Sequence, residues 1–159
     1  MASPTPTRTH IRSLLTLLSQ PPSGSDQFFA SVRDDVVWTV TGKSFLSGTW
    51  TTKASYRDAT WAKIGNLLKP PGIKLEITEG EEGIIVGQDG WATADLYTVD
   101  TYTISGVRYD QSYAWHMHFD EEGMIAQVKV WLDTLTLENV LGGEAARQNG
   151  TNATEKKKE

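Results

Sequence analysis

The chain contains no cysteine. That excludes a disulfide framework, a thiolate nucleophile and a cysteine-ligated metal. Histidine is scarce, with three in all at His10, His116 and His118, so a His-rich metal site is not expected. Basic residues do not cluster in the body of the chain and the formal net charge is −5, which disfavours nucleic acid as a partner. No apolar run approaches the ~20 residues that span a bilayer, and the first eight residues lack the apolar stretch of a secretory signal. The expectation from these gaps is a cytoplasmic protein that needs no metal or other cofactor and has neither a nucleic-acid nor a membrane partner.

What is present fits one soluble domain. The 159 residues are 38% hydrophobic and 22% charged, enough for a real core. Tryptophan is abundant, with six. Residues 1–8 read as a flexible lead, 9–141 as the domain and 142–159 as a disordered, polar tail ending in Lys156-Lys-Lys. Ile11, Leu14, Leu15 and Leu18 recur at helical spacing and predict a helix from Thr9 to Ser19, with Thr9 as its cap. Asp26 precedes a short helical turn carrying Phe28 and Phe29. Val36 to Thr41 reads as a strand. Trp61, Ile64, Leu67 and Leu68 form the apolar stripe of a helix over 52–68. The period then changes to two, predicting strands over 73–79, 84–98, 107–119 and 124–132. Helices first and antiparallel strands after them indicate an α+β architecture.

The most informative segment runs from Tyr109 through Phe119 and returns from Met124 to Asp133. On a pleat, Tyr109, Gln111, Tyr113, Trp115, Met117 and Phe119 share one side. Aromatic rings mixed with phenols and an amide suit a small-molecule pocket better than a purely structural core.

Three stretches carry a resemblance: Asp34 to Gly42 with Leu46-Ser-Gly-Thr, Trp91 to Tyr97, and the block from Tyr109 to Asp133. Together they resemble the SnoaL-like, ketosteroid-isomerase-related branch of the NTF2-like superfamily. The resemblance implies a conical α+β half-barrel, a curved antiparallel sheet wrapped over N-terminal helices, with a deep apolar pocket and a tendency to dimerise. The fold hosts isomerases, cyclases, dehydratases, epoxide hydrolases and binders, so the reaction has to be argued from the site.

The expected pocket phase puts Trp38 and Val40 inward from the first strand, Trp91, Thr93, Asp95 and Tyr97 from the strand at 84–98, Tyr109, Gln111, Tyr113, Trp115 and Met117 from the next, and Val130 from the last. Tyr56 and Trp61 close the helical side. Asp95 is then a lone inward acid whose burial should raise its pKa, making it the expected proton carrier, with Tyr113 and Tyr97 as donors to a substrate oxygen. The positions of other acids known in the family are occupied by Val40, Trp115 and Val130. The expected function is a cofactor-independent isomerase, cyclase or dehydratase acting on a hydrophobic, oxygenated small molecule, by resemblance a polyketide or terpenoid intermediate. The alternatives are a binding module without chemistry and a dimeric protein-interaction scaffold. His116, His118 and Trp131 alternate with the inward set and are expected on an outer face that pairs two copies of the chain. Asp133 is expected to cap the turn that follows it.

Overall fold

The computed structural model describes residues 6–155, with side chains through residue 150. The expected lead and the Lys156 run lie, in residues 1–5 and 156–159, outside the described residues. Helix α1 (Arg8–Thr16) continues as a 3-10 turn (Leu17–Ser19) and is followed by α2 (Ser23–Ala30). Its cap is Thr7 rather than Thr9: the Thr7 hydroxyl accepts from the His10 amide at 3.1 Å, satisfying one of the free N–H groups of a helix start. Strands β1 (Val32–Val40) and β2 (Gly48–Trp50) come next. The predicted helix over 52–68 is observed as α3 (Lys53–Tyr56), a π-helical turn (Arg57–Trp61) and α4 (Ala62–Leu67), capped by the Thr52 hydroxyl. Then follow β3 (Leu75–Ile77), β4 (Ile84–Val86), β5 (Trp91–Thr98), β6 (Ser112–Phe119) and β7 (Ile125–Leu132).

The sheet runs β2-β1-β7-β6-β5-β3, with β4 also on β5. It is curved and unclosed, in a mixed α+β chain as expected from the order of its elements. Every pairing is antiparallel except one: β1 lies parallel to β7, with Trp38 opposite Val128 and Val40 opposite Val130. Irregularities in β1 and at His118/Phe119 interrupt the ladders and add local bend. The helices cover the concave face and bury one continuous core, from Ile11, Leu15 and Leu18 through Phe28, Phe29 and Trp38 to Met117, Phe119 and Val128.

Two expectations about this architecture change. The single strand over 84–98 is two strands folded back on one another, Ile84 opposite Ala94 and Val86 opposite Ala92. The turn between them carries Asp89 at φ 53° and Gly90 at φ 83°; a Cβ on Gly90 would stand 2.5 Å from the Phe119 carbonyl oxygen. The second change is at the C-terminus. Residues 142–155, read in the sequence as part of a disordered tail, are helical: α5 (Thr134–Leu137), a π-helical turn (Glu138–Gly142) and α6 (Gly143–Glu155) run on continuously. Leu137 and Leu141 are buried, an anchor that the polar composition after 142 conceals. Asp133 caps this helix, its carboxylate accepting from the Leu135 and Thr136 amides at 3.0 and 3.1 Å. Glu138 accepts from the Phe45 amide at 2.7 Å. Glu144, 2% exposed, accepts from the Ser105 hydroxyl and from Arg147. Among the described residues no helix is long and apolar enough to cross a membrane.

Glu144 thus fastens the last helix to the 99–111 loop. Glu144→Ala removes the buried acceptor shared by Ser105 and Arg147 and should destabilise the protein by about 1–3 kcal/mol, read as a shift in the urea midpoint at constant slope.

Candidate ligand-binding cup

The sheet's concave face and the helices enclose a narrow apolar cavity. Val40 reaches it from β1, Tyr113 and Trp115 from β6, Val130 and Leu132 from β7, and Leu75 from β3; Tyr56, Thr60, Trp61 and Ile64 come from the helical side and Leu137 from α5. Tyr56, Thr60 and Ile64 recur every four residues, one face of a helix, and the π-helical turn adds Trp61 to the same wall. The free volume is about 30 Å³, against roughly 300–1,000 Å³ for a typical ligand pocket. Trp61 and Ile73 are shared with an outer groove of about 320 Å³ that Pro21, Asp26 and Arg57 also line. Side chains of this shared wall divide the two spaces.

The phase of β5 is the central correction. Residues directly opposite on neighbouring strands share a face, and β5 pairs with β6 as Ala92 with Met117, Ala94 with Trp115 and Leu96 with Tyr113. Ala92, Ala94, Leu96 and Thr98 therefore point inward and are buried. Trp91, Thr93, Asp95 and Tyr97 point outward, the one-residue slip that reverses a strand's faces. Asp95 is not in the cup, so it is not the proton carrier there. Tyr97 is 37% exposed, and its hydroxyl donates to Glu76 on β3 at 3.3 Å. The physical reason is volume: alanines opposite Met117 and Trp115 leave room for those side chains, which Asp95 and Trp91 on that face would not.

The other strands have the expected phase. Trp38, Val40, Trp115, Met117 and Val130 face inward and are buried. Val40, Tyr56, Trp61, Tyr113, Trp115 and Val130 border the cavity itself. Trp38 lies behind Tyr56, stacked at a centroid distance of 4.0 Å and 12°, and meets Trp115 edge-on at 5.4 Å. Met117 is core. Thr60, Leu132 and Leu137 are additions to the expected lining; the four-residue spacing from Tyr56 is the sequence signal for Thr60.

Tyr109 and Gln111 precede β6 and sit behind Tyr113. Thr98 holds this stretch, its hydroxyl donating to the Tyr109 carbonyl at 2.6 Å and accepting from the Gln111 amide at 2.8 Å. The Tyr109 and Tyr113 hydroxyls are 3.2 Å apart, and Gln111 Nε2 donates to Tyr109 Oη at 3.3 Å. Among the described residues, none that lines the cavity is charged. Its polar atoms are hydroxyls and indole nitrogens, and three buried ones nearby, Trp38 Nε1, Trp115 Nε1 and Thr60 Oγ1, have no hydrogen-bond partner among the described residues. Leaving such groups unpaired costs on the order of 1–3 kcal/mol each.

Burial pushes the phenols of Tyr56 and Tyr113 up, and that of Tyr109 likewise, so all three are proton donors at physiological pH. In the unfolded chain they ionise near pH 10; the folded protein keeps their protons longer. Stability is therefore fully present below that value and falls as pH rises past it. Tyr56→Phe, which removes one of these groups without breaking a protein hydrogen bond, should lessen the loss of stability between pH 8 and pH 11 in urea titrations.

No protein-family model matches the sequence, and no curated protein matches it. Solved structures do. PrhC from Penicillium brasilianum superposes with a TM-score of 0.71 at 11% identity, covering 91% of this chain and 93% of PrhC. TerC, crystallised with polyporic acid, has a TM-score of 0.63 at 16% identity over 84% of this chain and 98% of TerC. An NTF2-like protein of unknown function from Burkholderia pseudomallei gives 0.65 at 12% identity over 85% and 98%. At such identities the likeness is one of architecture, and the architecture of this chain is the NTF2-like fold.

Proposed function

We propose that the cup binds a small, largely apolar, oxygenated molecule and promotes its cyclisation, isomerisation or dehydration by donating hydrogen bonds to one of its oxygens. The observation that carries this reading is Tyr113, a buried phenol on the cavity wall, held from behind by Tyr109 and Gln111. A fixed donor in an apolar enclosure stabilises charge that develops on a carbonyl oxygen. Tyr56 Oη and Trp115 Nε1 are further donors on the same wall, and the surrounding indoles shape an apolar ring system. With no carboxylate or imidazole in the lining, electrophilic assistance suits a substrate whose own group supplies the nucleophile, as in an intramolecular ring closure. The substrate class we favour is a polyketide or terpenoid intermediate; the co-crystallisation of TerC, a protein of similar fold, with polyporic acid supports a small-molecule reading. A molecule of that size enters by displacing the wall of Trp61 and Ile73.

The uncharged lining also favours a second reading, a binding module without turnover. One experiment separates the two. Cup tryptophan fluorescence is followed while acetophenone and 1-tetralone are titrated, and bound ligands from a panel of cyclisable polyketides are recovered and weighed by mass spectrometry. Tyr113→Phe should weaken binding or turnover about tenfold, the loss of one buried hydrogen bond to an acceptor, while Asp95→Asn on the outer face should change either by less than about twofold. Wild-type behaviour from Tyr113→Phe would remove the basis of the proposal. Ligand returned unaltered across the panel would leave the binding module.

We also propose that the outer sheet face pairs two copies of the chain. Trp91, Trp131 and Ile85 are exposed there, at 41%, 45% and 56%, beside His116 and His118, and Lys129 Nζ lies 4.8 Å over the Trp131 ring. Exposed aromatics gathered on one face mark an interface. Light scattering should give twice the 17.6 kDa chain mass for the wild type and the single mass for Trp131→Glu.

A further inference from the structure

The amide of Gln111 has only one orientation consistent with its surroundings. Its Oε1 accepts two backbone amides, Ser112 N at 3.0 Å and Asp133 N at 3.1 Å. Its Nε2 faces two oxygens, the Asp133 carbonyl at 2.8 Å and Tyr109 Oη at 3.3 Å. Reversing the amide would set oxygen against oxygen and N–H against N–H, so the assignment follows from the bonding. Gln111 is 3% exposed, which keeps water from substituting for these partners.

That orientation propagates along the hydroxyls. Tyr109 Oη accepts from Gln111, and its remaining protein neighbour is Tyr113 Oη. Tyr109 is 1% exposed, so its own proton is satisfied only by pointing at Tyr113. Tyr113 Oη is then already an acceptor from behind, and its proton is left to point into the cavity that Tyr113 lines. The chain of donors runs in one direction, from Gln111 through Tyr109 to Tyr113 and outward. Trp115 Nε1, also on the wall and without a partner among the described residues, is a donor by its chemistry.

We infer that Gln111 is a positioning residue that fixes the hydrogen-bond polarity of the cup, so that it selects ligands presenting an acceptor oxygen, such as a ketone or aldehyde carbonyl, over ligands presenting an N–H. This rests on the reading that the cup binds a small oxygenated molecule. It adds which side of the hydrogen bond the ligand supplies, and which residue outside the cavity decides it.

Gln111→Glu tests the inference by reversing the chain. The carboxyl still accepts the two backbone amides with one oxygen. Its second oxygen, protonated toward the Asp133 carbonyl, now accepts from Tyr109 rather than donating to it. Tyr109 then receives the Tyr113 proton, and Tyr113 turns a lone pair to the cavity. The probes are 4-fluoroacetophenone, an acceptor, and 5-fluoroindole, a donor, of comparable size, followed by fluorine NMR line broadening. Wild type should bind the ketone about fivefold to tenfold tighter than the indole, a ratio set by one buried hydrogen bond made or missed. Gln111→Glu should invert the order. Tyr109→Phe leaves the contacts of the Gln111 amide to the Ser112 and Asp133 backbone in place and frees the Tyr113 hydroxyl to rotate. It should bring the two affinities within about twofold of each other, and it serves if the glutamate variant does not fold. A purely structural Gln111 would weaken both probes together. If wild type binds both probes equally, or if Tyr109→Phe keeps the full preference for the ketone, the polarity inference fails while ligand binding in the cup stands. If neither probe binds wild type, the reading of the cup itself fails and this inference with it.

Discussion

The indole of Trp115 sets the terms for the rest of the molecule. It projects from the middle of the sheet with Ala94 opposite it on one side and Val130 on the other, and it meets Trp38 and Phe28 across the core. So large a ring in a central strand requires small or branched neighbours on its own face. That requirement decides which residues of β5 point inward, which acids are excluded from the interior, and how near α2 and the helix over 53–67 approach the sheet. The cup is what remains between this ring, the helices and the phenols at the open end.

A donor-rich, uncharged interior narrows the chemistry. A buried carboxylate would have offered proton abstraction; phenols whose acidity is suppressed by burial, with indole N–H groups beside them, offer polarisation and shape. The polar elements are not scattered. They form a line beginning at the backbone of Ser112, which opens β6, and of Asp133, which follows β7, passing through a side-chain amide and two phenols, and ending at the cavity. A buried set of side-chain and backbone hydrogen bonds thus orients the hydrogen that a ligand would meet. The stretch just before β6 supplies this placement because Thr98 and the Asp133 backbone hold it.

Much of this is legible in the chain, for reasons that are physical. Tyr113, Trp115, Met117 and Phe119 alternate along one buried face of β6, because a large side chain every second residue leaves one stable phase; Tyr109 and Gln111, read as part of the same strand, are buried just before it. The stripe Ile64, Leu67 and Leu68 and the cap at Asp133 are equally direct. The strand β5 is not, because Trp-Ala-Thr-Ala-Asp-Leu-Tyr carries apolar residues in both phases. Its small residues mark the crowded side and its aromatic ones an exposed outer surface, the reverse of what side-chain size alone suggests. The Asp89-Gly90 turn, a strong hairpin signal, divides 84–98 into two strands, so the phase of the second cannot be carried over from the first. The helix after residue 142 is hidden because its anchors are few: Leu137, Leu141 and one buried glutamate hold a segment that is otherwise polar, and composition averages over such sparse attachments.

The parallel pairing of β1 with β7 reaches beyond the finished structure. β1 lies near the start of the chain and its partner near the end, with roughly ninety residues between them, so loop-closure entropy is met before any of its hydrogen bonds form. On the ribosome β1 has only the short β2 as a strand partner, among the described residues, until β7 has emerged. The hairpin of β6 and β7, whose contacts are local, is the natural platform onto which the N-terminal third is recruited. Assembly of the cup thereby waits until β7 has been made, and truncations that remove β7 deprive β1 of its parallel partner.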